Sequence, residues 1–484
     1  MVQKQYINGA WVDSHARGTY EHRNPARLGE VTGVWPQGDD EDASRAMNAA
    51  AAAFAGWRSL TAVRRADQMQ KVLRLMDERR EELARIITLE NGKTLKDSRA
   101  EVQSTCREME FQIGEGLRVG GETKPTAQPG VFAYETRVPL GVISVIAPWN
   151  FPLNVPGRKM TPALMAGNTV VFKPASLTPG VGKALVDLFH EAGIPPGVVN
   201  MVVGPGSTVG AAFTGSPLVK AVSFTGSTEV GRGIHRVASS AMIRTQLEMG
   251  GKNAIVVLAD ADIEAAVESA ATAAYACAGQ WCTCTSRAVV EKPVLEEFTE
   301  RLMDRVKQMK TGDGSDESTD MGPLCGTEQL ETVSEYLRVG SQEGARLVTG
   351  GERLGGKPYD EGCFIPPTIF TKVTPRMRIA QEEIFGPVLS VMEAADFDDA
   401  VRIANDVPFG LSSSVYTRDL SRAMSFIEQI DVGLVHVNML TAYKEPGFTF
   451  GGVKDSGFGI PEAGSSGIEF FSEHKVAYIR YREE

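Results

Sequence analysis

Apolar residues recur along this chain in two periods. Short, unbroken runs rich in Val, Ile and Ala stand at 141–147, 169–172, 198–203, 221–224 and 253–258. Between them lie stretches with helical spacing, at 179–192 (closed by Gly193) and 262–277. The second half repeats the style, with strands predicted at 288–291 and 388–393 and helices at 294–310, 328–343 and 398–405. Strands that are apolar on both faces and joined by helices belong to parallel, doubly wound sheets. The pattern therefore predicts an α/β protein with two such units in tandem. Ahead of them, an Ala-rich helix is expected over 42–57, and one or two long helices over 61–90, stopped at Asn91-Gly92. Residues 116–140 carry no helical period and predict an extended arm.

Composition narrows the class. The 484 residues are 42% hydrophobic and 23% charged, which is ordinary for a folded chain. No run of 18 apolar residues occurs, so no membrane span is expected. The N-terminal MVQKQYINGAWVDS lacks the apolar stretch of a signal peptide. Six scattered cysteines fit a reduced, cytoplasmic protein. Fifty basic against 61 acidic residues give a net charge of −11, which argues against nucleic acid as a partner.

Several segments carry candidate chemistry. Two glycine-rich turns follow strands, at 204–210 and 224–231, and either suits a cofactor phosphate or simply a tight turn. Lys173 ends a strand, at the sheet edge where ligands of open α/β sheets bind. In Gly279-Gln-Trp-Cys282-Thr-Cys284 the thiols admit a metal pair, a redox pair, a nucleophile or plain buried sulfur. A CxC alone is weak for metal, and no metal is expected. Glu248, flanked by Leu247 and Met249 between apolar strands, is a candidate desolvated base or a salt-bridged strand end. Asn150, held between Pro148 and Pro152, is a candidate oxyanion donor or a structural turn residue.

Together these segments resemble the aldehyde dehydrogenase superfamily over essentially the whole chain. PWNFP, Lys173-Pro174, FTGSTEVG, LEMGGK, GQWCTCTSR, the Glu382-Glu383-Ile-Phe385-Gly-Pro387 segment and the Phe450-Gly-Gly-Val-Lys454 segment occur in that family's order. The resemblance implies two doubly wound parallel-sheet domains and a small β oligomerisation arm. Residues 1–118 and 142–247 would bind NAD or NADP. Residues 248–445 would carry the nucleophile, and 119–141 with 465–484 would form the arm of a homo-oligomer, dimer or tetramer. It further implies Cys282 as nucleophile, two residues after Gln280 and five before Arg287. Glu248 becomes the general base and Asn150 the oxyanion donor. Lys173, Ser176, Trp149, Gly226, Ser227, Glu383 and Phe385 would line the cofactor site, and Arg158, Trp281 and Phe450 the substrate tunnel.

The implied reaction oxidises an aldehyde to its acid through a thiohemiacetal and a thioester on Cys282, with Glu248 activating water. The alternative within the superfamily is a CoA-acylating semialdehyde dehydrogenase, against which Glu248 argues. A free thiol has a pKa near 8.5, so the site must lower it or supply a base. Two departures stand out. Where many NAD-preferring members place Glu, this chain has Ser176, so nothing there repels a 2′-phosphate, and use of both NAD and NADP is expected. Arg158 matches an arginine of members acting on succinic semialdehyde, but their second arginine is replaced by Ala276. A small anionic semialdehyde is the expected substrate, with Arg158 facing its charged group unless an Asp or Glu neutralises it first.

Overall fold

A computed structural model describes residues 1–482, arranged about two parallel sheets. The first has eight strands. In spatial order they are Ala10–Val12, Gln5–Ile7, Val199–Met201, Thr169–Lys173, Val142–Ile146, Val219–Thr225, Arg244–Glu248 and Gly457–Phe458. The central five run parallel and the flanking strands antiparallel. Val142–Ile146 and Thr169–Lys173 are buried at every position, because helices such as Asn154–Met165 and Asp40–Ser59 cover both faces. Among the parallel strands the first in sequence, Val142–Ile146, lies between the second and the fourth. The order reverses there, and the loops after Ile146 and Thr225 open a crevice between them.

The second sheet has seven strands, in the order Arg346–Thr349, Thr368–Thr371, Val388–Ala394, Arg287–Glu291, Ala254–Val257, Ser412–Tyr416 and Leu434–Val437. All pairs but the first are parallel. Its core of Ile255, Val256, Val289, Leu389 and Val415 is fully buried, with Phe298 and Tyr275 packed from the covering helices. A two-stranded ribbon, Val131–Pro139 with Ser472–Arg480, stands apart as an antiparallel arm. Residues 483–484 of the expected arm lie outside the described residues.

Local chemistry explains most boundaries. Asp39 caps Asp40–Ser59 in a capping box, and Thr61, Thr94, Ser227 and Asp262 cap later helices, each worth about 1 kcal/mol. Residues 61–90 form two helices, Ala62–Glu78 and Arg80–Asn91, the second ended by Gly92 at φ 90°. Among the elements that the sequence pattern does not predict are the helix Leu95–Arg118 and the N-terminal ribbon Thr19–Asn24 with Arg27–Pro36. Glu248 is the last residue of the strand Arg244–Glu248, at a strand end. The first sheet also recruits Gly457–Phe458 from near the C-terminus.

Candidate active site

Cys282 reaches its position through a break in a helix. Ile263–Tyr275 ends, and Cys277, Ala278 and Gly279 follow at φ 52°, 56° and 69°. Left-handed backbone at two non-glycine residues is strained and must be held by its surroundings. At Gly279 only glycine fits, since a Cβ would lie 2.2 Å from the Gly386 carbonyl oxygen. Asn253 then clamps the next turn, its Nδ2 donating to the carbonyls of Cys282 and Cys284 at 2.8 Å each. Gln280 braces it from the other side, its Oε1 accepting from the Cys325 N–H at 2.8 Å.

Cys282 is half-buried and lies on two cavities at once. Asn150, Thr225 and Met249 share both. One cavity, about 220 Å³, fills the crevice of the first sheet and is lined by Trp149, Gly226, Ser227, Glu383 and Phe385. The other, about 310 Å³, runs past Phe151, Arg158, Glu248, Trp281, Lys444 and Phe450. Cys284 lines neither and is buried.

The crevice side is built for close approach. Gly226 begins the turn that Ser227 converts into the helix Thr228–Ser240. Glu383 accepts the Gly251 N–H at 3.0 Å, and a Cβ on Gly250 would collide with its carboxylate. Burial pushes the Glu383 carboxyl up to about 7. Trp149 and Phe385 meet edge to face at 5.3 Å. Lys173 is buried beside the Gly206–Gly210 turn, and desolvation pushes its ammonium down to about 8. Ser176 lies elsewhere, in a third cavity with Tyr20, His22 and Glu90, and its carbonyl accepts from the Tyr20 hydroxyl at 3.0 Å. Lys173 and Ser176 are thus not among the residues around Cys282.

On the other side, the loop carrying Asn150 is pinned by Lys93, whose Nζ donates to the Asn150 carbonyl at 2.6 Å. The Asn150 side-chain amide donates to the Gln280 carbonyl at 3.1 Å, two residues before the thiol. Glu248 is buried with Oε2 unpartnered. Desolvation first, then the nearby Glu462 charge, hold its carboxyl well above the usual range. Burial likewise pushes the Cys282 thiol up to about 12, with Arg158 pulling the other way. Burial thus favours the neutral thiol.

Residues 11–477 match the Aldehyde dehydrogenase family. The chain belongs to that family. It is accordingly a nicotinamide-dependent oxidoreductase acting on aldehydes. Among similar proteins, an alpha-ketoglutaric semialdehyde dehydrogenase of Bacillus subtilis is 42% identical over 475 residues, 98% of this chain and 97% of the relative. A glutarate-semialdehyde dehydrogenase of Pseudomonas putida is 38% identical over 477 residues, covering 99% of this chain and 98% of the relative. The crystal structure of betaine aldehyde dehydrogenase from Staphylococcus aureus in complex with NAD+ superposes with a TM-score of 0.96 at 36% identity, over 100% of this chain and 96% of that one.

Within this aldehyde dehydrogenase, Arg158 is not free. Its guanidinium meets Glu462 at 2.6 Å and Glu108 at 3.7 Å, and lies 4.5 Å above the Phe450 ring. The same Glu462 pairs with Lys159 at 2.7 Å. Lys444 joins through Glu108 and through Asn154 Oδ1 at 3.1 Å. None of Glu108, Lys159, Lys444 and Glu462 was singled out by sequence pattern. Lys159 follows Arg158 directly, but the others come from segments without a motif. No helix among the described residues is long and apolar enough to cross a membrane.

Proposed function

We propose that this protein oxidises a small anionic semialdehyde to the carboxylic acid, with Cys282 as nucleophile. One observation carries the reading: Cys282 lines both cavities, with Asn150 on each and Glu248 on the larger. A nicotinamide cofactor supplies a hydride acceptor when bound. The crevice residues fit such a group: Glu383 keeps lone pairs for ribose hydroxyls, Trp149 and Phe385 offer aromatic surface, and the Ser227-capped helix offers an N-terminus to the diphosphate. Lys173 would hold the adenosine ribose, with Ser176 following it in the chain. Ser176 carries no charge to repel a 2′-phosphate, so we infer use of both NAD and NADP.

The chain's own residues perform the rest. Glu248 or its water takes the thiol proton, and the Cys282 sulfur adds to the aldehyde carbon. The Asn150 amide and the Cys282 N–H hold the oxyanion of the thiohemiacetal. After oxidation the thioester remains on Cys282, and Glu248 takes a proton from water as that water attacks it. A base beside the thiol supports hydrolysis over transfer to CoA.

The anionic character of the substrate draws on the cations Arg158 and Lys444 that line the larger cavity. It also draws on two relatives named for semialdehydes. Those cations disfavour a quaternary ammonium such as betaine aldehyde. Trp281 and Phe450 supply apolar walls. We assign residues 1–118 and 142–247 to cofactor binding, the following unit to the nucleophile, and the ribbon Val131–Pro139 with Ser472–Arg480 to a homo-oligomer contact. The ribbon leaves Phe132, Val476, Tyr478 and Ile479 exposed. Six unpaired thiols suit the cytoplasm. The test is absorbance of reduced cofactor with glutaric semialdehyde, pentanal and betaine aldehyde, each with NAD and NADP. Equal rates on all three aldehydes would refute the substrate class.

A further inference from the structure

The wall of the larger cavity is unevenly charged. Two cations, Arg158 and Lys444, line it, and with Lys159 behind them they share two carboxylates, Glu108 and Glu462. That leaves one positive charge without a partner. Glu248 lines the same cavity, its carboxyl held above the usual range by burial and then by Glu462. The cavity's other carboxylates, Glu101 and Asp97, are hydrogen-bonded by the protein itself. Glu101 pairs with Lys93 at 2.8 Å and accepts the N–H groups of Leu153 and Asn154, while Asp97 accepts the Cys277 N–H at 3.3 Å.

The three cations are not equivalent. Arg158 lines the cavity, but only 4% of its side chain is exposed, and it is held by Glu462, by Glu108 at 3.7 Å and by the Phe450 ring. Lys159 is fully enclosed, bound to Glu462, to Ser223 Oγ at 3.0 Å and to the Phe224 carbonyl. Lys444 sits on the loop between Leu434–Val437 and Thr449–Phe450, and 26% of its side chain stays exposed. An ammonium has three donors. Two go to Glu108 and Asn154, which leaves one for a ligand in the cavity that Lys444 lines.

We propose that Lys444, not Arg158, takes the distal carboxylate of the substrate and sets the preference for anionic semialdehydes. A bound carboxylate brings the cluster to three cations and three anions, and it meets the one ammonium with a donor to spare. Arg158 contributes field and holds Glu462 in place. The inference rests on the aldehyde-oxidation reading above and refines its substrate contact.

The experiment compares glutaric semialdehyde with pentanal, of equal carbon count, in wild type, Lys444→Met, Lys444→Arg and Arg158→Lys. For Lys444→Met, kcat/KM for the semialdehyde should fall about 10²-fold, as for a lost ionic hydrogen-bonded contact, while that for pentanal changes little. Lys444→Arg should keep most of the discrimination, and Arg158→Lys should slow both aldehydes alike. Calorimetric titration with glutarate gives a readout independent of turnover, and binding should weaken in Lys444→Met alone. Equal losses for both aldehydes in Lys444→Met would make Lys444 a structural partner of Glu108 and overturn the inference. So would selective loss of the semialdehyde in Arg158→Lys only. A wild-type enzyme without preference for the anion defeats the substrate reading itself, whereas a wild-type preference that Lys444→Met keeps defeats only this inference.

Discussion

The two cavities that meet at Cys282 are made in different ways. The crevice side is built from loops at the carboxyl ends of two adjacent parallel strands, together with glycines and a helix N-terminus. Its recognition is largely backbone, and its one prominent charge is Glu383. The larger cavity is built from side chains. Helices Leu95–Arg118 and Asn154–Met165 and the segment around 444 each send in a charged group, Glu101, Arg158 and Lys444, with Glu108 and Glu462 paired behind them. A surface made of backbone tolerates little change of shape, so it suits a ligand that does not vary. A surface made of side chains can be rewritten one residue at a time, which suits a substrate that differs between relatives.

The contrast can be broken at the shared atom. Cys282→Ala should abolish aldehyde oxidation with either cofactor, while Cys284→Ala should retain much of it, because Cys284 lines neither cavity. Steady-state assays of both variants decide this, and the reverse outcome would move the nucleophile. Glu248→Gln should slow turnover about 10²–10⁴-fold, the usual worth of a general base. A burst of reduced cofactor should survive if acylation proceeds without it. Near-normal turnover would remove Glu248 from the reaction.

Each side can then be perturbed alone. Gly250→Ala places a methyl where the Glu383 carboxylate now lies. It should raise the cofactor KM about tenfold or more, as for one lost charge-assisted hydrogen bond, and leave the aldehyde KM alone. Parallel rises in both would erase the division between the sides. Ser176→Glu should shift kcat/KM toward NAD and away from NADP by about tenfold, through repulsion of a 2′-phosphate. No detectable NADP activity in the wild type would refute that use of both cofactors.

The smallest expected effect is on pH. Glu248 must be ionised to accept a proton, and its pKa is raised, chiefly by burial and then by Glu462. Activity is therefore lost as pH falls through that raised pKa, above the range of an ordinary carboxylate. Glu462→Gln removes the second cause, so the acid limb of the kcat profile should move to lower pH. A limb that stays put would mean that Glu462 does not act on Glu248.

The sequence by itself determined the architecture and pointed to three residues, Cys282, Asn150 and Glu248, that the structure brings to one cavity. Runs such as Val142–Ile146 and Thr169–Lys173 announce buried parallel strands because helices on both faces leave every position buried. Cys282, Asn150 and Glu248 were legible because each sits in a short segment whose backbone geometry demands particular neighbours, such as Gly279 before the thiol and prolines around Asn150. The helix Leu95–Arg118 was not legible. Lys93, Glu101, Glu108 and Gln112 lie buried in or beside it, held by partners far away in sequence, and they blur the apolar stripe that marks a helix. Tertiary structure alone decided that Arg158 is neutralised by residues 50 and 304 positions away and that Lys444 has a donor to spare. A strand or a tight turn is specified by adjacent residues. A charge balance belongs to whichever side chains the fold brings within a few ångströms.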